Sequence, residues 1–250
     1  MAKEQGKVKI YGQSNVGRKR ELNEDSICFL TNEHGDSLIL VCDGIGGSAA
    51  GEVASAMARD TIKERFEKAP VFTKDWEVDQ WIRSVLNKTN DMIFTKSMFS
   101  RKNRGMGTTA VGAIITSIGT YVFNVGDSRL YALYDDGLVQ MSVDHSLMQA
   151  LISQHKITEE EAKTHEKRNT LTNALGVWKI FRIDVDKIDD NYKALLACSD
   201  GLHGYVDHAL IQEVMENPGT LKQKTDRLIG LANEAGGSDN ISVVIAVPEV

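Results

Sequence analysis

Short apolar runs bounded by turn residues recur along the chain, a pattern typical of buried strands. The predicted strands are residues 26–30, 37–42, 108–116, 119–124, 128–134, 137–142, a short one near Leu171, and 181–188, 193–199 and 241–247. Asp136 and Gly137 mark a hairpin turn between two of them. Because consecutive strands joined by short turns pair with each other, we expect antiparallel sheets.

Amphipathic stretches predict helices, mostly in pairs. Residues 51–68 place Val53, Met57, Ile62 and Phe66 on one face. The inner stripe of the next helix, residues 76–98, comprises Val78, Trp81, Ile82, Val85, Thr89, Met92 and Ile93. Further helices are expected at 145–154, after the capping box Thr158-x-x-Glu161, and at 207–216 and 220–235.

Groups of strands followed by pairs of helices predict an α+β fold. We expect a central antiparallel β-sandwich of two sheets flanked on each side by helix pairs, a four-layer arrangement in one domain over residues 1–250. The 250 residues are 42% hydrophobic, which is enough to form a core without a disulfide or a metal as a staple.

Charge and cysteine content indicate the compartment and the partners. The net charge of −6, with 29 Lys and Arg against 35 Asp and Glu and no long basic run, disfavours nucleic acid and membrane as partners. The first ten residues lack the apolar core of a secretory signal. Cys28, Cys42 and Cys198 lie in apolar runs with no CxxC pair, which favours buried, reduced thiols in a cytoplasmic protein. The uncharged residues 105–126 break at Gly112 and Gly119, so two buried strands explain them better than a membrane span.

Five aspartates lie at the ends of predicted strands. Asp43, Asp127 and Asp200 follow apolar strands, whereas Asp25 and Asp239 precede them. One such aspartate ordinarily satisfies turn backbone, but five at one rim would repel each other unless cations compensate them. Mg²⁺ and Mn²⁺ prefer oxygen ligands, and the six histidines form no HxxxH or HExxH pair that would indicate zinc. A pair of such ions can activate water for attack at phosphorus.

Two other patterns admit competing interpretations. The cluster Arg18-Lys19-Arg20 could hold a phosphate, although taken alone it is typical of a solvated loop. Residues 44–49 fit the loose dinucleotide pattern G-x-G-x-x-A. Asp43 beside a pyrophosphate and a second helix where a strand should follow both disfavour that interpretation, and the chain has no P-loop.

Eight motifs in order then resemble one family. RELNEDS, VCDGIGGSAAGEVAS, GMGTTAVGA, NVGDSRLYAL, VDHSL, TLTNALG, ACSDGLHGYV and GGSDNISVVI are similar to the metal-dependent (PPM, type 2C) serine/threonine protein phosphatases in their short bacterial form. The similarity extends from about Gly17 to Val247. It implies hydrolysis of phosphoserine and phosphothreonine by water activated at two Mn²⁺ or Mg²⁺ ions, with a third ion in many bacterial members. The implied partners are phosphoproteins that a bacterial Ser/Thr kinase has phosphorylated. We expect the protein to be a monomer.

The resemblance also implies roles for individual residues. The metal ligands would be Asp25, Asp43, the carbonyl of Gly44, Asp127, Asp200 and Asp239, with Asp43 bridging two ions and Asp127 and Asp200 holding the third. Arg20 aligns with the arginine that contacts substrate phosphate, so Arg20, Asp43 and Asp200 are the catalytic candidates. Residues 146–168 match the variable flap beside the site.

The chain departs from the family pattern at two positions. Ile45 stands where eukaryotic members carry a histidine proposed as general acid, so no residue is assigned that role. Ser48 stands where many bacterial members have histidine. A catalytically inactive binding module on the same fold and a small-molecule metal phosphoesterase remain the alternatives.

Overall fold

Two antiparallel sheets lie face to face in the computed structural model, which describes residues 8–46 and 50–249. The strands are β1 (Val8–Asn15), β2 (Asp25–Thr31), β3 (Ser37–Ile45), β4 (Gly107–Thr108), β5 (Ala110–Thr116), β6 (Gly119–Val125), β7 (Arg129–Tyr134), β8 (Gly137–Gln140), β9 (Asp184–Ile188), β10 (Ala194–Cys198) and β11 (Ile241–Pro248). One sheet has the order β1-β11-β10-β7-β8 and the other β2-β3-β5-β6-β9, with β4 paired to β3.

Helices cover the outer face of each sheet. The helices are α1 (Ala50–Glu67), α2 (Asp75–Phe99), α3 (Leu147–Ser153), α4 (Glu159–Thr164), α5 (Asp200–His203), α6 (His208–Glu216) and α7 (Leu221–Glu234). Helices α1 and α2 pack on the sheet that contains β3, and α5, α6 and α7 pack on the sheet that contains β10. The predicted four-layer α+β sandwich is therefore confirmed.

Strand β3 shows how the sequence produces these layers. Successive side chains of a strand point to opposite faces. Leu38, Leu40 and Cys42 belong to the core beneath α1 and α2, whereas Ile39 and Val41 belong to the core between the two sheets. A strand buried on both faces reads as a continuous apolar run, and this is why the predictions located the central strands well.

Several local predictions were wrong. Strand β1 was not predicted, because its residues are half-buried or exposed and its hydrophobic pattern is therefore weak. Leu171 makes only an isolated bridge with Ser146. The predicted strand at 108–116 is split at Thr109, and the one at 181–188 begins at Asp184.

Other differences concern a turn and a helix face. The hairpin between β7 and β8 turns at residues 135–136, since Tyr134 pairs with Gly137. Met92 is 40% exposed, because the buried face of α2 passes through Thr89 and Ile93 and the neighbouring position points away from it.

The cysteine prediction is confirmed, since Cys28, Cys42 and Cys198 are all buried free thiols. Within residues 8–46 and 50–249, no helix combines the length and the apolarity that crossing a bilayer requires.

Candidate active site

The five strand-end aspartates meet at one rim of the sandwich. Asp25 and Asp43 lie directly opposite each other on β2 and β3. Asp200 follows β10 and Asp239 precedes β11, and these two strands are neighbours in the other sheet. Asp127 follows β6, and its charge interacts with that of Asp200. The structure thus brings together all the carboxylates that the sequence singled out.

Asp25 is the most buried member of the group, with 8% of its surface exposed. Burial raises the pKa of Asp25 to about 7, and hydrogen bonds from Ser242 and Ser199 oppose this rise. The hydroxyl of Ser199 donates to a carboxylate oxygen of Asp25 over 2.8 Å. Because Ser199 directly follows β10, this bond joins the two sheets at the rim.

Asp43 is positioned by its own backbone. Its N–H donates to the hydroxyl of Thr109 over 2.9 Å, and its carbonyl accepts from the hydroxyl of Thr108 and the N–H of Thr109, each over 2.9 Å. Burial raises the pKa of the Asp43 carboxyl well above its ordinary value, and the nearby charges of Asp25 and Asp200 raise it further.

Gly44 occupies a position that excludes any side chain. A Cβ at Gly44 would collide with the backbone carbonyl oxygens of Gly51 and Glu24. The N–H of Gly44 donates to that Glu24 carbonyl over 3.1 Å, and the carboxylate of Glu24 accepts from the N–H of Gly51 over 3.2 Å. The start of α1 is therefore pressed against the end of β3.

Two histidines hold the turn that carries Asp127. The N–H of Gly126 donates to Nδ1 of His145 over 3.2 Å, and the N–H of His145 donates to the carbonyl of Gly126 over 2.8 Å. With Nδ1 accepting, Nε2 of His145 donates to Asp184 over 3.0 Å. Nε2 of His203 lies 3.0 Å from the carbonyl oxygen of Asp127.

Two groups at this turn, Asp127 and His203, have pKa values far from their ordinary ones. Burial raises the pKa of Asp127 to about 8, with a further rise from the charge of Asp200. Burial lowers the pKa of His203 well below its ordinary value, so this imidazole is neutral at pH 7. A neutral His203 donates from Nε2 to the carbonyl of Asp127 and supports the turn without adding charge.

Asp200 begins the short helix α5. Burial raises the pKa of Asp200 to about 6, and the charge of Asp239 raises it too, while Arg20 opposes the rise. The next residue, Gly201, has no room for a side chain, because a Cβ there would collide with the carbonyl oxygen of Asn240. This close approach keeps Asp200 beside the residues that precede β11.

Arg20 reaches the rim from the loop between β1 and β2. Its Nη2 lies 2.9 Å from each carboxylate oxygen of Asp239. Arg18 and Lys19 belong to the same loop, but their anchoring contacts are made by the backbone, since both N–H groups donate to the carbonyl of Gly237. Of these three basic residues, Arg20 is therefore the one whose side chain contacts the group of aspartates.

Asn240 fixes this loop to the end of the last strand. Its Nδ2 donates to the carbonyls of Val16 and Leu22 over 2.9 and 3.0 Å, and its Oδ1 accepts from the N–H of Glu24 over 2.8 Å. Asn240 is itself buried, whereas its partners are only partly buried. One side chain thus holds the segment that contains Arg20.

The donor set fits hard divalent cations. Asp25, Asp43, Asp127 and Asp200 have raised carboxyl pKa values because they are crowded and removed from water, and a bound cation would favour their ionised forms. In the described ranges, no group of three His, Cys, Asp or Glu side chains is already arranged to hold a metal ion. Carboxylate and carbonyl oxygens are nevertheless the donors that Mg²⁺ and Mn²⁺ prefer.

Sequence reasoning missed the residues that support the aspartates. Thr109, His145, Ser199, His203 and Asn240 all lie within the quoted motifs, but their hydrogen bonds join segments far apart in the chain. Ser48 and the end of the G-x-G-x-x-A pattern lie outside the described residues. The predicted second helix after α1 is present as α2, which does not match a dinucleotide-binding unit.

Comparison with known proteins identifies the family of the chain. The family described as protein phosphatase 2C matches residues 12–243. Serine/threonine phosphatase stp of Listeria innocua is 35% identical over 230 residues, covering 92% of this chain and 91% of the relative. Protein phosphatase PhpP of Streptococcus pneumoniae D39 is 32% identical over 234 residues, covering 93% of this chain and 94% of the relative.

The fold comparison leads to the same group. The crystal structure of serine/threonine phosphatase Stp1 from Staphylococcus aureus superimposes with a TM-score of 0.90 at 32% identity, covering 97% of this chain and 96% of that one. The two antiparallel sheets with flanking helices match the class of bacterial serine/threonine phosphatases that this structure represents. The chain belongs to the protein phosphatase 2C family.

Proposed function

We propose that this chain is a metal-dependent serine/threonine protein phosphatase that hydrolyses phosphoserine and phosphothreonine. The observation that carries the proposal is the convergence of five aspartates and Arg20 at one rim. Family membership and the names of the relatives support the same activity.

The proposed centre uses the oxygen ligands at the rim. Asp25, Asp43, the carbonyl of Gly44, Asp200 and Asp239 would hold two Mn²⁺ or Mg²⁺ ions. Asp127 and Asp200 would hold a third ion. The bound ions supply an activated water and neutralise negative charge on the phosphate.

The chain's own residues bind and orient the substrate. Arg20 offers a planar fork that matches two phosphate oxygens, and its side chain is 47% exposed, so an incoming phosphate can reach it. The hydrogen bond from the Ser199 hydroxyl to Asp25 and the one from the Asp43 N–H to the Thr109 hydroxyl keep both aspartates in place while the substrate binds. Ile45 ends β3 and cannot transfer a proton, so no side chain is assigned as general acid.

Further features of the proposal concern the whole chain. Residues 1–250 form one catalytic domain, and residues 146–168, which contain α3 and α4, form a flap beside the site. The substrates are phosphoproteins produced by a Ser/Thr kinase, and the enzyme acts as a monomer in the cytoplasm. Buried, reduced cysteines support that compartment.

The test compares three substrates with and without metal. Phosphate release from a phosphoserine peptide, a phosphothreonine peptide and p-nitrophenyl phosphate is measured in Mn²⁺, then after EDTA, and again after Mn²⁺ is restored. We expect both peptides to be hydrolysed with a higher kcat/KM than the small ester, and EDTA to abolish turnover reversibly. Activity that survives EDTA contradicts the mechanism.

A variant separates the alternatives. Asp200→Asn should abolish turnover and weaken Mn²⁺ binding measured by calorimetry, while circular dichroism remains unchanged. Hydrolysis of the small ester alone would favour a small-molecule phosphoesterase. Wild-type protein that binds phosphopeptide without releasing phosphate would favour an inactive binding module.

A further inference from the structure

A basic and apolar surface lies at the end of α2 and in the turn that follows it. Two large apolar side chains project into solvent there, since Met98 is 69% exposed and Phe99 is 89% exposed. The cations of this surface are Lys96, Arg101, Lys102 and Arg104, all exposed. Exposed apolar groups beside unpaired charges are a common signature of interaction sites.

All charged side chains in this part of the chain are positive. Between residues 92 and 126 the sequence contains no Asp or Glu, although the whole chain has a net charge of −6. Across the described ranges, none of the four cations forms an ion pair with a carboxylate. The surface is therefore a positive patch on an acidic protein.

A groove between α1 and α2 adjoins the patch. It has a volume of about 470 Å³ and is lined by Met57, Lys88, Asp91, Met92, Thr95, Lys96 and Phe99. Asp91 supplies the single carboxylate among these lining residues of the described chain. The groove offers an apolar floor of two methionines and a phenylalanine with lysines at its margin.

The turn that carries the cations is held in a defined shape. The N–H of Gly105 donates to the buried hydroxyl of Ser97 over 2.9 Å, and the N–H of Met106 donates to the carbonyl of Asn103 over 3.1 Å. Asn103 itself is buried. Arg101, Lys102 and Arg104 are thus presented from a preorganised backbone, which reduces the entropy cost of binding.

The patch is connected to the end of β3 through the short strand β4. Gly107 and Thr108, which form β4, pair with Ile45 and Gly44 on β3. Both residues are buried, and Thr108 also forms a bridge with Leu175, so β4 itself is not open to a partner. A substrate that contacts Arg104 would approach the rim over the surface, starting three residues before β4.

We propose that this surface, formed by Met92, Lys96, Met98, Phe99, Arg101, Lys102 and Arg104, docks an acidic segment of a phosphoprotein substrate. A large apolar side chain of that segment occupies the α1–α2 groove, and its carboxylates meet the cations. Charge complementarity selects the partner, because an acidic segment is repelled by most of this chain and attracted here. The choice of a phosphoprotein rests on the proposed function.

The experiment uses two phosphoserine peptides of equal length. One carries an extension of Asp and Glu residues around a single leucine, and in the other the extension is Ser and Gly. The full-length enzyme is compared with the triple variant Arg101→Gln/Lys102→Gln/Arg104→Gln and with a charge-matched control, Lys9→Gln/Lys193→Gln/Lys222→Gln. The control cations are exposed residues on or near β1, β10 and α7.

We expect the triple variant to raise KM for the acidic peptide about tenfold, since three surface charges each contribute a small amount. Its kcat, its KM for the Ser and Gly peptide, and its hydrolysis of p-nitrophenyl phosphate should match the wild type. Phe99→Ser should raise KM for the acidic peptide alone. Equal KM values for the acidic peptide in the triple variant and the control overturn the proposal.

A binding measurement separates this proposal from the proposed activity. Fluorescence anisotropy of the unphosphorylated acidic peptide should show binding that weakens with salt and is lost in the triple variant. If no ester is hydrolysed but this binding persists, the proposed function fails and the surface stands. Binding to anionic lipid vesicles through the same cations, without binding to the peptide, overturns the proposal in favour of a membrane contact.

Discussion

Arg20 and Asp239 form a close ion pair, with one guanidinium nitrogen 2.9 Å from both carboxylate oxygens. Arg20 is proposed to bind phosphate and Asp239 is proposed to bind metal, so the ion pair connects the two proposed sites. Each partner therefore neutralises the other until their ligands arrive. This relationship makes the phosphate site and the metal site dependent on each other.

Arg20→Ala should raise KM for a phosphopeptide by about ten- to a hundredfold, because a charge-assisted contact contributes roughly 1.5–3 kcal/mol. The effect on kcat should be smaller if the contact is equally strong in the ground and transition states. Steady-state kinetics with Lys19→Ala as the control checks this. An unchanged KM in Arg20→Ala would assign phosphate binding to Arg18 or Lys19 instead.

Metal-free protein should lose stability as the pH rises. The folded-state pKa values of Asp25, Asp127 and Asp200 are about 7, 8 and 6, above the unfolded value near 4. The folded state therefore holds protons more tightly, and ionisation between about pH 4 and pH 8 costs folding free energy.

Thermal unfolding in EDTA measures this effect. The midpoint should fall across that pH range, and Mn²⁺ should raise it more at about pH 8 than at about pH 5.5, because the ionised ligands bind the cation. The variant Asp127→Asn should flatten the slope. A metal-free midpoint that rises with pH would contradict the raised pKa values.

Asn240→Asp should destabilise the protein by about 2–4 kcal/mol. The substitution preserves the acceptor for the Glu24 N–H, but it replaces two donors with a carboxylate oxygen facing the carbonyls of Val16 and Leu22. Urea unfolding checks the stability, and faster hydrogen exchange at the Glu24 amide reports the loosened loop. Asn87→Asp is the control, because that exposed amide only donates within its own helix and should cost little.

Gly44→Ala should destabilise the fold by about 3 kcal/mol, because the added methyl group collides with two backbone carbonyls that cannot rotate away. Gly230→Ala is the matched control. Gly230 lies inside α7 with open space around its Cα, so alanine there should stabilise by up to about 1 kcal/mol. Calorimetry on both variants tests the pair, and equal midpoints would show that the Gly44 contact has no energetic weight.

The sequence predicted the aspartates because their signal is local. Each of the five stands beside an apolar strand, so its place at a strand end could be read without knowledge of the fold. Their meeting at one rim followed from the expected sandwich. The central strands were predicted for a similar reason, since a strand buried on both faces is a continuous apolar run.

The supporting contacts could not be predicted in this way. Asn240 bonds to Leu22 across 218 residues, and Ser199 bonds to Asp25 across 174. Strand β1 was not predicted because a half-buried edge strand has a weak hydrophobic pattern. Its pairing with β11 depends on the tertiary structure. The exposed Met92 likewise depends on which face α2 turns toward the sheet.

The position of β11 has a consequence for folding. This strand lies inside its sheet, between β1 and β10, and Asn240 just before it holds the Arg20 loop. Until β11 has docked, β1 lacks its sheet partner and Arg20 lacks the carboxylate of Asp239. Because the pairing of β1 with β11 joins segments more than 200 residues apart, we expect the Arg20 loop to become ordered late in folding.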